Sequence, residues 1–233
     1  LDYVRRDAYM TGVATGPVDA DRLRRYAFVS PRGLAIYEPG LGALEMFLVA
    51  RLYLYNTIYF HRTVRAIDLD LAEAFAPSVA AVFGETDPLE ALEAYEALDE
   101  YALLHQASRW ARGEHVAEEP APGDGRVTPA VADLWRGILL RQPSWHLARE
   151  VRRDSRTGGD RASVEAELRE GLAAGARLDL AEADARPENP LHAVDGRLIV
   201  GRRDGSLDAG PLHELLERLP AVVVVGRAYE RAG

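Results

Sequence analysis

The sequence contains neither cysteine nor lysine. Without cysteine there is no disulfide, no thiolate nucleophile and no Cys-ligated zinc or iron–sulfur centre, although a chain can lack cysteine in any compartment. All 28 basic residues are arginine, which a GC-rich coding bias explains better than selection for the bidentate geometry of the guanidinium. Nor is there an apolar run approaching the roughly 20 residues that a membrane-spanning helix needs. No initiator methionine opens the chain, and no charged segment followed by an apolar one marks a signal peptide. The expectation is a cytoplasmic protein with no membrane contact. A basic excess is also missing. The formal charge of -9 excludes a general nucleic-acid-binding surface, which needs a positive field to meet phosphates, whereas a local arginine cluster can still hold a small phosphorylated ligand.

What is present is a chain of 233 residues, 48% hydrophobic and 28% charged, long enough to bury a substantial core. Leu1, Val4 and Ala8 set a helical rhythm from the first residue with no capping residue ahead of it, as in a helix entered partway along. That helix is expected to end at Thr11-Gly12. Asp19 caps a short helix reaching Tyr26, Ala27 to Gly33 is extended or loop-like, and Leu34 to Tyr37 is a short strand. One long helix is predicted from about Leu41 to Ala76, stopped by Pro77, because Leu44, Leu48, Leu52, Ile58, Val64, Ile67 and Leu71 keep a helical period.

Pro88 opens another helix running towards Trp110. Residues 118–128, rich in Pro, Gly and Glu, are the linker or long-loop candidate. Helices follow from Pro129 to about Leu140 and from about Arg161 to Gly175. Near the end, Leu198 to Val200 and Ala221 to Val225 are short strands, with a turn at Arg203-Asp204-Gly205 and a helix from Leu212 to Leu219. The expected fold is mainly α: a helical bundle over residues 1–117, the linker, and a helical then small α+β C-terminal region over 129–233.

Two groups of residues carry possible chemistry. Tyr3 and Asp7 are four apart and share a helix face; beside Asp2 and Arg6 that face also suits a solvated stripe of ion pairs. Arg51, Tyr55 and Tyr59 likewise recur every four residues. A guanidinium followed by two phenols fits a ligand with an anionic end and an aromatic end, a nucleotide for instance. Core aromatics with satisfied hydroxyls fit the spacing equally well. His105, His115, His146, His192 and His213 are scattered, with no HExxH or His-Asp pair, so no self-contained metal site is expected. The Gly201–Gly205 segment lacks the ending of a phosphate loop and suits a hairpin turn. Ser144 and Ser163 occupy no nucleophile-elbow context.

The stretch Leu1-Asp2-Tyr3-Val4-Arg5-Arg6-Asp7, continuing through Thr11-Gly12-Val13, Gly16, Asp19 and Arg22-Leu23, resembles a motif of HD-domain deoxynucleoside triphosphate triphosphohydrolases. Ala50-Arg51, Tyr55, Tyr59 and His61-Arg62 are similar to a second motif of that family, at matching separation. The resemblance covers about residues 1–80. It implies that Tyr3 and Asp7 face a deoxyribose, Arg51 contacts phosphate, Tyr59 lies beside sugar and base, and Tyr55 occupies a pocket position that varies. It implies a divalent metal (Mn, Mg, Fe or Zn) in the full-length parent, held by a histidine, a His-Asp pair and an aspartate expected ahead of Leu1. Asp2 fills the motif's own second position and does not replace that ligand. The chain alone is thus expected to bind no metal and to be inactive, as the C-terminal part of an enzyme that hydrolyses dNTPs to deoxynucleoside and triphosphate. A homo-oligomer is implied as well. The alternative is a non-catalytic nucleotide-binding or oligomeric scaffold protein.

Overall fold

The computed structural model describes residues 1–84, 87, 89–154, 160–184, 199–208 and 222–231. Two compact units emerge. The first comprises Leu1–His61, Glu150–Leu172 and Leu178–Arg227; the second comprises Arg62–Arg149, Ala173–Arg177 and Ala228–Gly233. The expected helix at 212–219, along with His192, His213 and Pro88, lies outside the described residues. Among those residues, no helix is long and apolar enough to cross a membrane.

The first unit begins with α1 (Asp2–Thr11), whose acidic first turn suits the helix dipole. It ends where Gly12, at φ 70°, takes the left-handed conformation and its N–H reaches Tyr9 O. In α2 (Ala20–Tyr26) the Asp19 carboxylate accepts from Arg22 N at 2.9 Å, the N-cap expected from the sequence. Strands β1 (Ala27–Ser30) and β2 (Gly33–Tyr37) form an antiparallel hairpin. A 3-10 turn (Glu38–Gly40) then leads into α3 (Leu41–Leu54). Its buried Ala50 and Leu54 meet Val4 of α1, with Tyr3, Phe47 and Tyr59 around them.

Here the sequence expectation needs correction. The long helix does not run unbroken from Leu41 to Ala76. After Leu54 it widens into a π turn (Tyr55–Tyr59), in which Phe60 N donates to Tyr55 O at 2.8 Å, and a new helix, α4 (Arg62–Phe83), begins. Nor does Pro77 stop α4, although proline removes one ladder hydrogen bond. Burial overrides it: Ala74, Ser78 and Ala81 line a face that accepts two indoles.

That face organises the second unit. The predicted helix towards Trp110 is divided into α5 (Leu92–Ala97) and α6 (Glu100–Ala111), because Asp99 caps α6 by accepting from Ala102 N at 2.7 Å. Helices α6 and α7 (Pro129–Leu139), the latter capped by Thr128, bury Trp110 and Trp135 against the alanines of α4. Trp135 Nε1 donates to Ser78 Oγ at 2.7 Å, and that hydroxyl donates to Ala74 O at 2.6 Å. The 118–128 segment is a loop docked on α4, with Gly123 N and Gly125 N donating to Ala80 O and Ala81 O, both at 2.9 Å. These bonds satisfy carbonyls of the last helical turn.

Among the described residues the fold class is mixed, about half helical with two small sheets, rather than a helical bundle with strands confined to its tail. One sheet has order β1-β2-β5-β6, where β5 is Ile199–Gly201 and β6 is Leu207–Asp208. The β5–β6 pair is antiparallel, with Arg202-Arg203-Asp204-Gly205 turning between them. The other sheet has order β3-β7-β4: β3 is Trp145–Asp154, β4 is Arg177–Asp184 and β7 is Val222–Arg231. Strands β3 and β4 were not expected. The helix predicted from Arg161 to Gly175 is shorter, α8 (Arg161–Arg169), with Asp160 accepting from Ser163 N.

Candidate nucleotide-binding site

All five residues singled out in the sequence meet in the first unit. Val4 anchors α1 on α3, and the residues flanking it, Tyr3 and Asp7, therefore face the end of α3. Arg51 Nε donates to the Tyr3 hydroxyl at 2.9 Å. The Tyr59 hydroxyl donates to Asp7 Oδ2. Tyr55 joins the two pairs: the Arg51 guanidinium carbon lies 5.1 Å from its ring centroid, and the Tyr59 ring meets it edge-on at 5.1 Å. Tyr3 and Tyr59 are 6.3 Å apart, centroid to centroid.

The cluster is half-buried rather than sealed. The Asp7 side chain keeps 30% of its surface exposed, and its second oxygen, Oδ1, faces Arg6 Nε at 3.6 Å. Burial raises the Tyr3 phenol above its ordinary value, and the hydrogen bond and charge of Arg51 offset part of that rise. Burial also works against the Arg51 charge, but the phenols of Tyr3 and Tyr55 more than compensate, leaving the guanidinium firmly protonated. Tyr59 is pushed well up, first by burial and then by donating to the negatively charged Asp7. At neutral pH Arg51 is thus a fixed cation and the phenols of Tyr3 and Tyr59 are neutral.

Several supports were not legible in the sequence. Phe60, with Leu52, Tyr55 and Tyr59, packs on Ala181, Ala183, Val223 and Val225, so β4 and β7 floor the site. The apolar run ending at Val225 signals a strand but not what it covers. The π turn carries no signal either, since its residues keep the four-residue spacing of an ordinary helix. His105, His115 and His146 are exposed and apart. Among the described residues, no group of three or more His, Cys, Asp or Glu is placed to hold a metal. Ser144 is tied by its N–H, at 2.8 Å, and by its hydroxyl to the buried Asp70, a structural bond in the second unit.

Residues 18–115 match the family described as HD associated region. Over 123 residues the chain is 28% identical to the uncharacterized protein YwfO of Bacillus subtilis, a match covering 47% of this chain and 28% of that protein. Over 78 residues it is 36% identical to the uncharacterized protein MJ1154 of Methanocaldococcus jannaschii, covering 32% and 17%. The chain therefore spans less than a third of either relative. Among solved structures, a hypothetical protein from Aquifex aeolicus superposes with TM-score 0.64 at 23% identity, over 97% of this chain and 52% of that one. A phosphohydrolase from Bacteroides thetaiotaomicron does so with TM-score 0.61 at 19% identity, over 99% and 60%. These two structures share the fold of this chain, and the family match covers residues 18–115 of it.

Proposed function

We propose that this chain carries the nucleotide-facing part of an HD-type phosphohydrolase acting on deoxynucleoside triphosphates. The observation that supports this best is the convergence of Tyr3, Asp7, Arg51, Tyr55 and Tyr59 from two helices into one half-open cluster. Arg51 is the phosphate clamp, its guanidinium suited to paired phosphate oxygens. Asp7 accepts from a sugar hydroxyl, Tyr3 lies against the sugar, and Tyr59 and Tyr55 line the sugar and base side.

The described residues do not fit a divalent metal, so no bond-breaking step is assigned to them. Hydrolysis to deoxynucleoside and triphosphate belongs in this reading to the whole protein, a cytoplasmic homo-oligomer, and this chain's share is to hold and orient the substrate. Titration calorimetry with dATP, ATP and inorganic phosphate tests it. Binding of dATP that Arg51→Ala weakens is the expected result, with ion-exchange chromatography of a Mn²⁺-containing incubation checking for products. Failure of every dNTP to bind would overturn the proposal. Binding without turnover by the whole protein would move the assignment to a nucleotide-binding scaffold.

A further inference from the structure

The π turn at Tyr55–Tyr59 sits in the middle of the cluster, and two side-chain bonds made by its residues involve none of the five site residues. Inside the turn, Thr57 Oγ1 donates to Tyr53 O at 2.7 Å. From outside it, Arg152 Nη2 on β3 donates to Asn56 Oδ1 at 2.8 Å, joining positions 96 residues apart. A π turn rotates less per residue than an α turn, and such turns concentrate at functional sites. Were residues 55–59 α-helical, the same sequence would direct Tyr59 about a fifth of a turn away from its present bearing relative to Tyr55, given roughly 3.6 residues per α turn against about 4.4 per π turn.

We infer that Asn56, Thr57 and Arg152 are positioning residues, which lock the π turn in the register that brings the Tyr59 hydroxyl onto Asp7. The inference rests on the reading of Asp7 and Tyr59 as ligand-facing for its functional meaning, but the geometry it predicts is independent of any ligand. Asn56 and Thr57 are half-buried and Arg152 is exposed, so none of them is needed to fill the core. The bond to Asn56 is charge-assisted, the stronger kind. The Tyr3–Arg51 pair, made upstream of the π turn, does not depend on it.

The test is ligand-free NMR of the full chain labelled at tyrosine Cζ, with the Tyr59 resonance assigned by Tyr59→Phe and folding checked by circular dichroism. In Asn56→Ala, Arg152→Ala and Thr57→Val, the Tyr59 titration is expected to fall towards that of an ordinary phenol while Tyr3 keeps its position. Thr57→Ser and Arg152→Lys, which retain a donor, restore it. Affinity for dATP falls about tenfold in the first three variants and recovers in the last two. An unchanged Tyr59 titration in folded Asn56→Ala and Arg152→Ala overturns the inference, and these two decide it alone should Thr57→Val not fold. If the wild type binds no dATP, the proposed function fails, while the NMR result still decides the positioning role.

Discussion

The Tyr59 hydroxyl and the Asp7 carboxylate, 52 residues apart in sequence, share a hydrogen bond. In the proposed reading, a ligand hydroxyl that reaches Asp7 meets a carboxyl group already oriented by Tyr59, and Oδ1, which faces the Arg6 guanidinium at 3.6 Å, is the oxygen left to accept it. Asp7→Asn swaps one acceptor oxygen for a donor and removes the charge. It is expected to weaken dATP binding by about tenfold or more, on the scale of a charged hydrogen bond at roughly 1.5–3 kcal/mol. Calorimetry would show this, and wild-type affinity in the folded variant would remove Asp7 from the site.

Arg51→Ala distinguishes a phosphate contact from a packing role. If Arg51 clamps phosphate, Arg51→Ala costs about 10- to 100-fold in affinity for dATP but leaves the binding of deoxyadenosine, which has no phosphate, nearly unchanged. Equal losses for both ligands would place Arg51 in the packing of Tyr3 and Tyr55 instead.

The raised phenol of Tyr59 makes stability fall at alkaline pH. The sign follows from proton uptake: above the ordinary value of 10.0 the unfolded chain loses the phenol proton while the folded chain keeps it. Stability thus decreases as pH climbs from there towards the folded value. Urea unfolding at about pH 8 and about pH 11 is expected to show the gap between wild type and Tyr59→Phe narrowing at the higher pH. A constant gap would mean that Tyr59 titrates normally.

Gly226 on β7 has no room for a side chain. A Cβ there would collide with Val164 and Leu168 of α8 and lie 3.3 Å from Leu180 Cδ2. Gly226→Ala is expected to destabilise by about 1–3 kcal/mol through overpacking, read as a lower urea midpoint. Val164→Ala in the same chain should recover part of the loss, and a lack of any recovery would point away from this contact.

Ser78→Ala removes the acceptor of Trp135 Nε1 inside the α4–α7 core. A buried donor left alone costs about 1–3 kcal/mol. Trp135→Phe added to Ser78→Ala removes the orphaned donor, so the double variant should lose less than the two single losses added together. Strict additivity would show that the bond contributes little.

What the sequence made legible was mostly local. Asp19 and the Thr11-Gly12 pair mark helix ends through a side chain and backbone freedom, and they mark them correctly. The five clustered residues were legible as candidates because Arg51, Tyr55 and Tyr59 repeat every four residues and because two short motifs resemble a known family. Strand β3 gave no such sign: of its ten residues only Trp145 and Val151 are buried, and the rest read as a charged surface. The apolar run at the start of β7 hid its continuation. Arg227, which a composition reading places outside, is buried in the strand and donates to Glu150 at 2.6 Å. Pro77 misled for the opposite reason, because a strong local rule lost to the burial of Ala74, Ser78 and Ala81. The Arg152–Asn56 bond joins segments with no pattern in common, and only the folded chain brings them together.

Ala35, Ile36 and Tyr37 pair in parallel with Ile199, Val200 and Gly201, and this pairing imposes a delay on the growing polypeptide. When β2 leaves the ribosome its neighbour is still roughly 160 residues from being made, a wait on the order of ten seconds at ordinary synthesis rates. Helices α4, α6 and α7 lie entirely within that interval and are contiguous, so the tryptophan-centred unit has all its helices in hand first. The unit that holds Tyr3 and Arg51 must therefore wait for residues 199–201 before its first sheet can close.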